Sequence, residues 1–234
     1  MARIYCLLII LTFPVVACAQ VKLFASVGYG TYSMKDLKEH QEQLKEQFPV
    51  DPKITSSFPG YWYYQFGASY RFKSNFFIGS SVSYGSTGGK IHYQDYSGEI
   101  GCEHKVKYIS VGVPLGWQFP IQQDKMNLGL ELSPALYFGN TQLAFETEVN
   151  TQSDQQSVEF ESINIGLQPA ARLERQVGPV LIFIQAGYYI DVYRSELTVK
   201  DNSEYYLLNG NGKKVHSDFT GLRTALGVAF AFPH

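Results

Sequence analysis

The last sixteen residues, Phe219 to His234, read FTGLRTALGVAFAFPH, and their alternation decides how the whole chain is interpreted. Successive side chains of a β-strand point to opposite faces. One face of this strand is large and apolar, with Leu222, Thr224, Leu226, Val228, Phe230 and Phe232. The other face is small, with Gly221, Arg223, Ala225, Gly227, Ala229 and Ala231. A soluble sheet buries its large face and wets a polar one. A small face with a single arginine does not fit that pattern.

Seven further segments alternate in the same way, with glycine, alanine and serine frequent on the smaller face. They span residues 21–32, 61–73, 75–85, 107–119, 126–139, 163–175 and 180–193. The connections between the eight segments alternate in length. Short turns lie at 73–75, 120–125 and 176–179, and long polar connections at 33–60, 86–105, 140–160 and 195–218. Short turns at one end and long loops at the other are typical of an up-and-down meander.

The pattern therefore predicts an all-β fold, an eight-stranded antiparallel up-and-down transmembrane β-barrel. In lipid every backbone N–H and C=O must be paired internally, and only a closed sheet achieves this with strands. The large face then meets lipid, and the small face lines a narrow lumen. Pro114, Pro134 and Pro169 each remove a ladder donor, so we expect local bulges or strand ends there.

Composition supports this class and excludes others. The chain has 234 residues, and only 17% of them are charged, whereas glycine and aromatic residues are frequent. The formal net charge is -2 and no basic patch is present, so we expect no nucleic-acid partner.

The first nineteen residues have the pattern of a secretory signal peptide. Arg3 precedes an apolar run that ends in Ala17-Cys18-Ala19, an A-x-A cleavage site before Gln20. This divides the chain into a leader, 1–19, and a barrel domain, 20–234. Residues 15–18 also resemble a lipobox, which would leave Cys18 lipidated instead. After simple cleavage Cys102 is the remaining cysteine, so no intramolecular disulfide is expected.

The first long connection is predicted to contain a short helix. The stretch SMKDLKEHQEQLKEQFP, 33–49, places Asp36 three residues after Ser33, close to a capping box. An apolar stripe of Met34, Leu37, Leu44 and Phe48 follows, and Pro49 ends the run. We interpret the helix as a lid or rim element, with partner docking as the alternative.

Polar residues on the small face form the main candidate site. They are Arg71, Glu131, Gln168, Arg172, Glu174, Gln185, Asp191 and Arg223, joined by Gln65 and Asn164. Both charge signs occur, so a paired network that fills the lumen and fixes strand register is the favoured interpretation. A proton or ion path is the alternative. Eight strands leave room for side chains rather than for a wide channel.

No catalytic, cofactor-binding or metal site is predicted. His216 and Ser217 are adjacent and point to opposite faces of a strand, so they cannot form a nucleophile–base pair, although His216 and Asp218 share a face. His92, His104 and His216 lack the spacing of a metal site. Aromatic residues near strand ends, at 61–64, 117, 119 and 188–189, are typical of interfacial girdles. Sugar stacking on loop tyrosines is the alternative use of such rings.

Residues 20–234 resemble the bacterial outer-membrane protein β-barrel domain family, of the small eight-stranded type. The resemblance rests on the leader, the alternating segments, the short–long loop rhythm and the last strand, GVAFAF. It implies location in the bacterial outer membrane, contact with its lipid, and recognition of a C-terminal aromatic residue by the outer-membrane assembly machinery. Here Phe232 is followed by Pro233-His234, a departure from the strict terminal-Phe pattern. The family carries no catalytic motif.

The sequence thus predicts a non-enzymatic outer-membrane protein with a structural or cell-surface interaction role through its long loops. A narrow pore or transporter is the alternative. Weaker alternatives are a hydrolase at the barrel rim and a soluble barrel that turns its large face inward around an apolar ligand.

Overall fold

The computed structural model describes residues 20–96, 98–122, 125–149 and 152–232. The predicted leader, 1–19, and with it Cys18, lies outside the described residues. Within them the chain forms one α-helix and twelve β-strands. These are β1 (Gln20–Gly30), α1 (Lys35–Gln47), β2 (Lys53–Ser57), β3 (Tyr61–Arg71), β4 (Phe76–Asp95), β5 (Gly98–Gly112), β6 (Leu115–Gln122), β7 (Met126–Val149), β8 (Gln152–Val177), β9 (Val180–Arg194), β10 (Thr198–Val199), β11 (Asn202–Tyr206) and β12 (Gly221–Phe232).

The long strands form a closed antiparallel ring. Its order is β1, β3, β4, β5, β7, β8, β9 and β12, and β12 pairs with β1 to complete it. β6 continues β5 on the far side of Pro114, because both strands lie between β4 and β7. The ring therefore has eight wall strands, and each contains one of the eight predicted segments. The predicted fold class is confirmed.

The two faces of each wall strand lie as the sequence predicts. On β12, Leu226 is 55% exposed on the outside, whereas Arg223 is 2% exposed and points into the lumen. We call the outward apolar side chains of the ring the apolar belt. It includes Leu23, Val82, Val111, Leu136, Ile165, Ile184 and Leu226.

The lumen is not lined by small residues alone. Phe24, Tyr63, Tyr108, Tyr137 and Phe183 are buried on the inward face, among glycines of neighbouring strands. A Cβ at Gly28 would collide with the ring of Tyr63 and with the carbonyl oxygen of Thr224. The inward glycines therefore make room for rings on adjacent strands, rather than leaving the lumen empty.

The three prolines have different consequences. Pro114 separates β5 from β6, and its carbonyl accepts from the N–H of Gly79 at 2.8 Å. At Pro169 the β8–β9 register lacks the pairs between Leu167 and Ala170, so a strand end and a ladder interruption occur as expected. Pro134 lies in an unbroken β7–β8 register, but the ladder on its other side is interrupted between Ala135 and Leu132, where β5 ends and β6 begins. Its carbonyl accepts from Val113, so its missing N–H faces the gap between β5 and β6.

Two of the predicted long loops are wrong, because strands continue through them. β4 and β5 pair from the barrel wall to Asp95 and Gly98, and β7 and β8 pair to Val149 and Gln152. The alternation persists in these extensions with reversed polarity. On β5, His104 and Val106 are buried whereas Lys105 and Lys107 are exposed. Outward charge predicts a wetted outer surface, so these hairpins leave the apolar belt at Lys107.

The hairpin extensions, α1, β2, β10, β11 and residues 207–219 build an outer cap with its own apolar core. The core contains Met34, Leu37, Phe58, Ile91, Cys102, Val106, Leu143, Phe160, Leu197, Leu207, Val215 and Phe219. Tyr108 and Tyr137 of the lumen belong to the same cluster, so the cap covers the outer end of the barrel.

Helix α1 is present where the sequence predicts it, but it begins differently. Met34 is the N-cap residue in a left-handed conformation (φ 44) and no side chain caps the helix, so the predicted capping box is wrong. Asp36 binds His216 instead. The apolar stripe is confirmed, because Met34 and Leu37 are fully buried while Leu44 and Phe48 pack against the core. No helix in the described residues is long and apolar enough to cross a membrane.

The close packing around Gly28 can be tested with a single methyl group. We expect Gly28→Ala to lower the free energy of unfolding by about 1–3 kcal/mol, because its Cβ would collide with Tyr63 and with backbone. Gly129→Ala is the matched control on the same face. Its Cβ meets nothing closer than the carbonyl oxygen of Arg172 at 3.6 Å, so we expect a loss below about 1 kcal/mol. Urea unfolding in detergent measures both, and equal losses would contradict the packing described.

Candidate functional site

A buried ion pair anchors the polar side chains of the lumen. Lys22 on β1 and Glu174 on β8 lie with Nζ 2.6 Å from Oε2, and both side chains are almost completely buried. Gln118 on β6 bridges them, because it donates to Glu174 at 3.1 Å and accepts from Lys22 at 3.2 Å. Arg71 reaches the same Gln118 oxygen at 3.4 Å.

A second set of contacts continues the network across the lumen. Gln185 on β9 donates to Glu131 on β7 at 2.5 Å and accepts from Arg172 on β8 at 2.9 Å. The Arg172 guanidinium also lies 3.4 Å from Glu131 and 3.9 Å from Glu174. Its planar group sits over the rings of Phe24 and Phe183, at 4.9 and 4.5 Å. Cation–π contacts stabilise a guanidinium that has lost its water.

We call these seven residues the lumen network: Lys22, Arg71, Gln118, Glu131, Arg172, Glu174 and Gln185. Three cations face two carboxylates, and the third cation, Arg71, lies at the half-exposed end. The contacts join β1, β3, β6, β7, β8 and β9. A network that ties six strands together fixes their register, because a slip of one strand would leave charges buried without partners.

Two predicted residues lie outside this network, nearer the cap. Arg223 donates to the carbonyl oxygens of Phe219, Thr31 and Leu222. The ring of Tyr32 lies 4.5 Å from its guanidinium. Asp191 accepts from the N–H of Phe219 at 2.7 Å. Both residues thus hold the segment that enters β12, and no carboxylate forms an ion pair with Arg223 in the described chain.

The remaining predicted residues take smaller parts. Asn164 donates to the carbonyl of Ser217 at 2.9 Å. Gln168 and Gln65 are half-buried, and neither side chain has a hydrogen bond within the described residues. Lys22 and Gln118 belong to the lumen network but are not among the site residues predicted from the sequence. Both lie on the small face of their segments, which is the signal that would have included them.

The histidines do not form the arrangement considered from the sequence. His216 pairs with Asp36 at 3.0 Å, and Asp218 pairs with Arg194 at 2.9 Å. Ser217 is fully buried and bonds Ser162 at 2.7 Å. The Asp36 carboxylate orients the His216 imidazole as a general base would require. However, no hydroxyl or thiol of the described residues hydrogen-bonds the other ring nitrogen of His216.

Metal binding has no support in the described residues, where no group of three or more His, Cys, Asp or Glu side chains could hold an ion. His92 pairs with Glu99 at 3.4 Å, and His104 pairs with His40 at 3.1 Å. Cys102 is buried in the cap, and burial raises the pKa of its thiol to about 12, so the reactive thiolate is suppressed.

The closed eight-strand ring with an apolar outer belt and a charged, filled lumen defines the fold of small bacterial outer-membrane β-barrels. Solved structures agree. The chain is similar to the outer-membrane protein OprG from Pseudomonas aeruginosa, with a TM-score of 0.50, 10% identity, and coverage of 93% of this chain and 97% of that chain. The resemblance predicted from the sequence is thereby confirmed for the fold.

Two further solved structures are similar at lower TM-scores. The attachment invasion locus protein Ail of Yersinia pestis has a TM-score of 0.38 and 14% identity, covering 92% of this chain and 99% of that chain. Neisserial surface protein A has a TM-score of 0.34 and 14% identity, covering 92% and 97%. No protein-family model matches the chain, and sequence comparison finds no curated relative.

The lumen network makes a quantitative prediction. Lys22→Met removes one partner of a buried ion pair and leaves Glu174 without its nearest cation, so we expect a loss of about 3–5 kcal/mol in the free energy of unfolding. Lys200→Met is the matched control, because Lys200 pairs with Glu159 on the exposed cap surface, where water screens the pair, and we expect a much smaller loss. Urea unfolding in detergent, followed by tryptophan fluorescence, measures both. Similar losses for the two variants would show that the network does not stabilise the barrel.

Proposed function

We propose that this protein resides in the bacterial outer membrane and acts there without catalysis, presenting its folded outer cap to the exterior. The observation that carries the proposal is the apolar belt around a closed ring, with a large polar structure at one end. On β4 the outward positions run from Phe76 to Tyr84. Eight steps of about 3.4 Å at a tilt of about 40° span about 20 Å, close to the apolar band of such barrels.

Aromatic rings at both ends of the belt support the membrane position. Tyr29 and Trp62 pack edge to face at 5.8 Å on the cap side, and Phe76 and Trp117 at 5.0 Å on the turn side. Tyrosine and tryptophan are favoured at both membrane–water interfaces. In this orientation the cap lies outside the cell and the short turns face the periplasm.

The outer cap is the part of the protein best suited to meet a partner. Its apolar core gives it a fixed shape, and its surface exposes charged and aromatic side chains. Tyr96 at the β4–β5 hairpin tip and Tyr205 on β11 are strongly exposed. Exposed aromatic side chains on a rigid support are common anchors of protein interfaces. The non-enzymatic role implies an extracellular partner that binds this surface. The apolar belt would contact outer-membrane lipid. The final strand would contact the assembly machinery.

A narrow pore is the second candidate, because the lumen carries charges along its length. Two features oppose conduction. The lumen network closes the lower part with side chains in contact across the barrel. Above it, Tyr137 packs against Tyr189 at 4.3 Å and against Phe219 and Tyr108 at 5.2 and 5.0 Å, under the core of the cap.

The membrane position predicts heat-modifiable mobility. A closed barrel stays folded in detergent until it is boiled, so the boiled and unboiled protein should run as separate bands. Protein from the outer-membrane fraction is compared by gel electrophoresis in both states. One band at a single mobility, together with protein free in the periplasm, would overturn the proposal and favour the soluble ligand-binding barrel.

The non-conducting lumen predicts a silent planar bilayer. We expect purified, folded protein to give no steady single-channel current, because the ion pairs and aromatic rings fill the lumen. Arg172→Ala removes the side chain that bridges Glu131 and Glu174, and it is the variant most apt to create a leak. Steady conductance of the unaltered protein, changed by Arg172→Ala or Arg223→Ala, would establish the pore instead.

A further inference from the structure

Two histidines join α1 to the barrel's outer hairpins. His40 lies in the middle of α1, and His104 lies on β5 with its side chain directed into the cap. Their Nδ1 and Nε2 atoms are 3.1 Å apart, and the ring planes are nearly perpendicular. His40 is 6% exposed and His104 is completely buried. Phe58 packs its ring against His104 at 6.0 Å.

This contact requires a particular number of protons. One of the two facing nitrogens must carry a hydrogen, and the other must offer a lone pair. The Nδ1 atom of His104 has no hydrogen-bond partner within the described residues, which favours the tautomer in which it is bare and Nε2–H donates to His40. If both imidazoles were protonated, two N–H groups would face each other in a dry site.

The surroundings supply no counter-charge for a protonated pair. Burial lowers the pKa of His104 to about 3, with the nearby His40 adding to the effect, and burial also lowers the pKa of His40. No carboxylate of the described residues pairs with His40 or His104. Asp36 pairs with His216 at the start of α1, Glu99 with His92 on the β4–β5 hairpin, and Asp51 with Lys45 at the end of α1. The titratable group on the same face of β5 is the neutral thiol of Cys102.

Other contacts also hold α1 on the cap, among them the Asp36–His216 pair and the buried side chain of Met34. Leu37 packs into the core, Gln41 donates to the carbonyl of Ser56 at 2.8 Å, and Gln43 accepts from the N–H of Gly210 at 2.6 Å. The side-chain oxygen of Gln41 is buried without a partner, which weakens the contact further. The barrel wall below is held by continuous strand ladders, so α1 can leave without disturbing it.

We propose that the His40–His104 pair is an acid-sensitive latch, which holds α1 on the outer cap at neutral pH and releases it when the exterior becomes acidic. Release separates Leu37 of α1 from Ile91 and Cys102, which belong to the same apolar cluster, and exposes that cluster. The cell surface thereby gains an apolar patch in acid that is covered at neutral pH.

The direction of the effect follows from linkage. Both histidines titrate more readily after release, because their pKa returns to about 6.5 in water. The latch is therefore fully stable above pH 6.5, and it loses stability as the pH falls from 6.5 toward 3. For His104 alone, the equilibrium for release increases about tenfold by pH 5.5 and about 100-fold by pH 4.5.

Cys102 provides a built-in probe for the release of α1. It is 1% exposed, lies two residues before His104, and is the one cysteine of the chain without its leader. The experiment measures the rate at which 4,4′-dithiodipyridine, which reacts with thiols in acid, modifies Cys102 in the folded, detergent-solubilised barrel. Each rate is divided by that of glutathione at the same pH. Boiled and unboiled gel mobility confirms at each pH that the barrel is intact.

We expect the normalised rate to increase about 100-fold between pH 7.5 and 4.5 in the unaltered protein. His104→Gln retains a polar side chain of similar size that does not titrate here, and the double variant His40→Gln/His104→Gln removes both protons. The double variant should change less than about threefold over the same range. His216→Gln is the matched control, because it also contacts α1, and it should keep the acid response.

Two results would overturn the latch. One is a Cys102 rate in the unaltered protein that is the same at pH 4.5 and pH 7.5 after normalisation. The other is an acid response in the double variant as large as that of the unaltered protein, which would assign the release to other groups. A variant that fails the gel test is replaced by His40→Gln alone, which should reduce the response without abolishing it.

Discussion

The structure depends on one constraint, the pairing of every backbone hydrogen-bonding group within a ring that has no edge. Hydrocarbon offers no partner for an N–H or C=O group, so the barrel must close. Closure is made by β1 and β12, which pair residue by residue from Val21–Phe232 to Gly30–Arg223. The exceptions are informative. Pro134 lacks an N–H where its neighbour strand is itself interrupted at Pro114, so two potential losses fall at one place.

The same strands face two environments along their length, lipid around the apolar belt and water around the cap. Within the belt, Ile109 and Val111 point outward while Ser110 and Gly112 point inward. Four residues closer to the cap on β5, Lys105 and Lys107 point outward while His104 and Val106 are buried. Nothing in the strand changes except the identity of the alternating residues. At the membrane surface the apolar side chains therefore change from the outward face of the sheet to the inward face. The apolar inward face then forms the core under α1 without a separate domain.

The strands of the barrel wall could be predicted from the sequence, whereas the structure of the cap could not. All eight wall strands, the direction of both faces and the apolar stripe of Met34 and Leu37 follow from local periodicity. The extended hairpins were missed because the reversed polarity near Lys105 was interpreted as a polar loop. Contacts between distant residues, such as His40 with His104 and Asp36 with His216, depend on how hairpins meet in space. Residue spacing in the sequence does not predict these contacts. In the lumen, the small face predicted where polar groups lie, whereas their partners depend on the heights set by strand register.

The pairing of β1 with β12 also determines when the barrel can close during folding. Thr224 donates to the carbonyl of Tyr29 across 195 positions of chain, and the whole seam joins the two ends of the barrel domain. Until β1 and β12 are both present, the backbone hydrogen-bonding groups at the edges of the sheet have no strand partner. Pairing so distant in sequence is slow, because the entropy of closing the intervening loop opposes it. The barrel therefore cannot close until β12, Gly221–Phe232, has paired with β1.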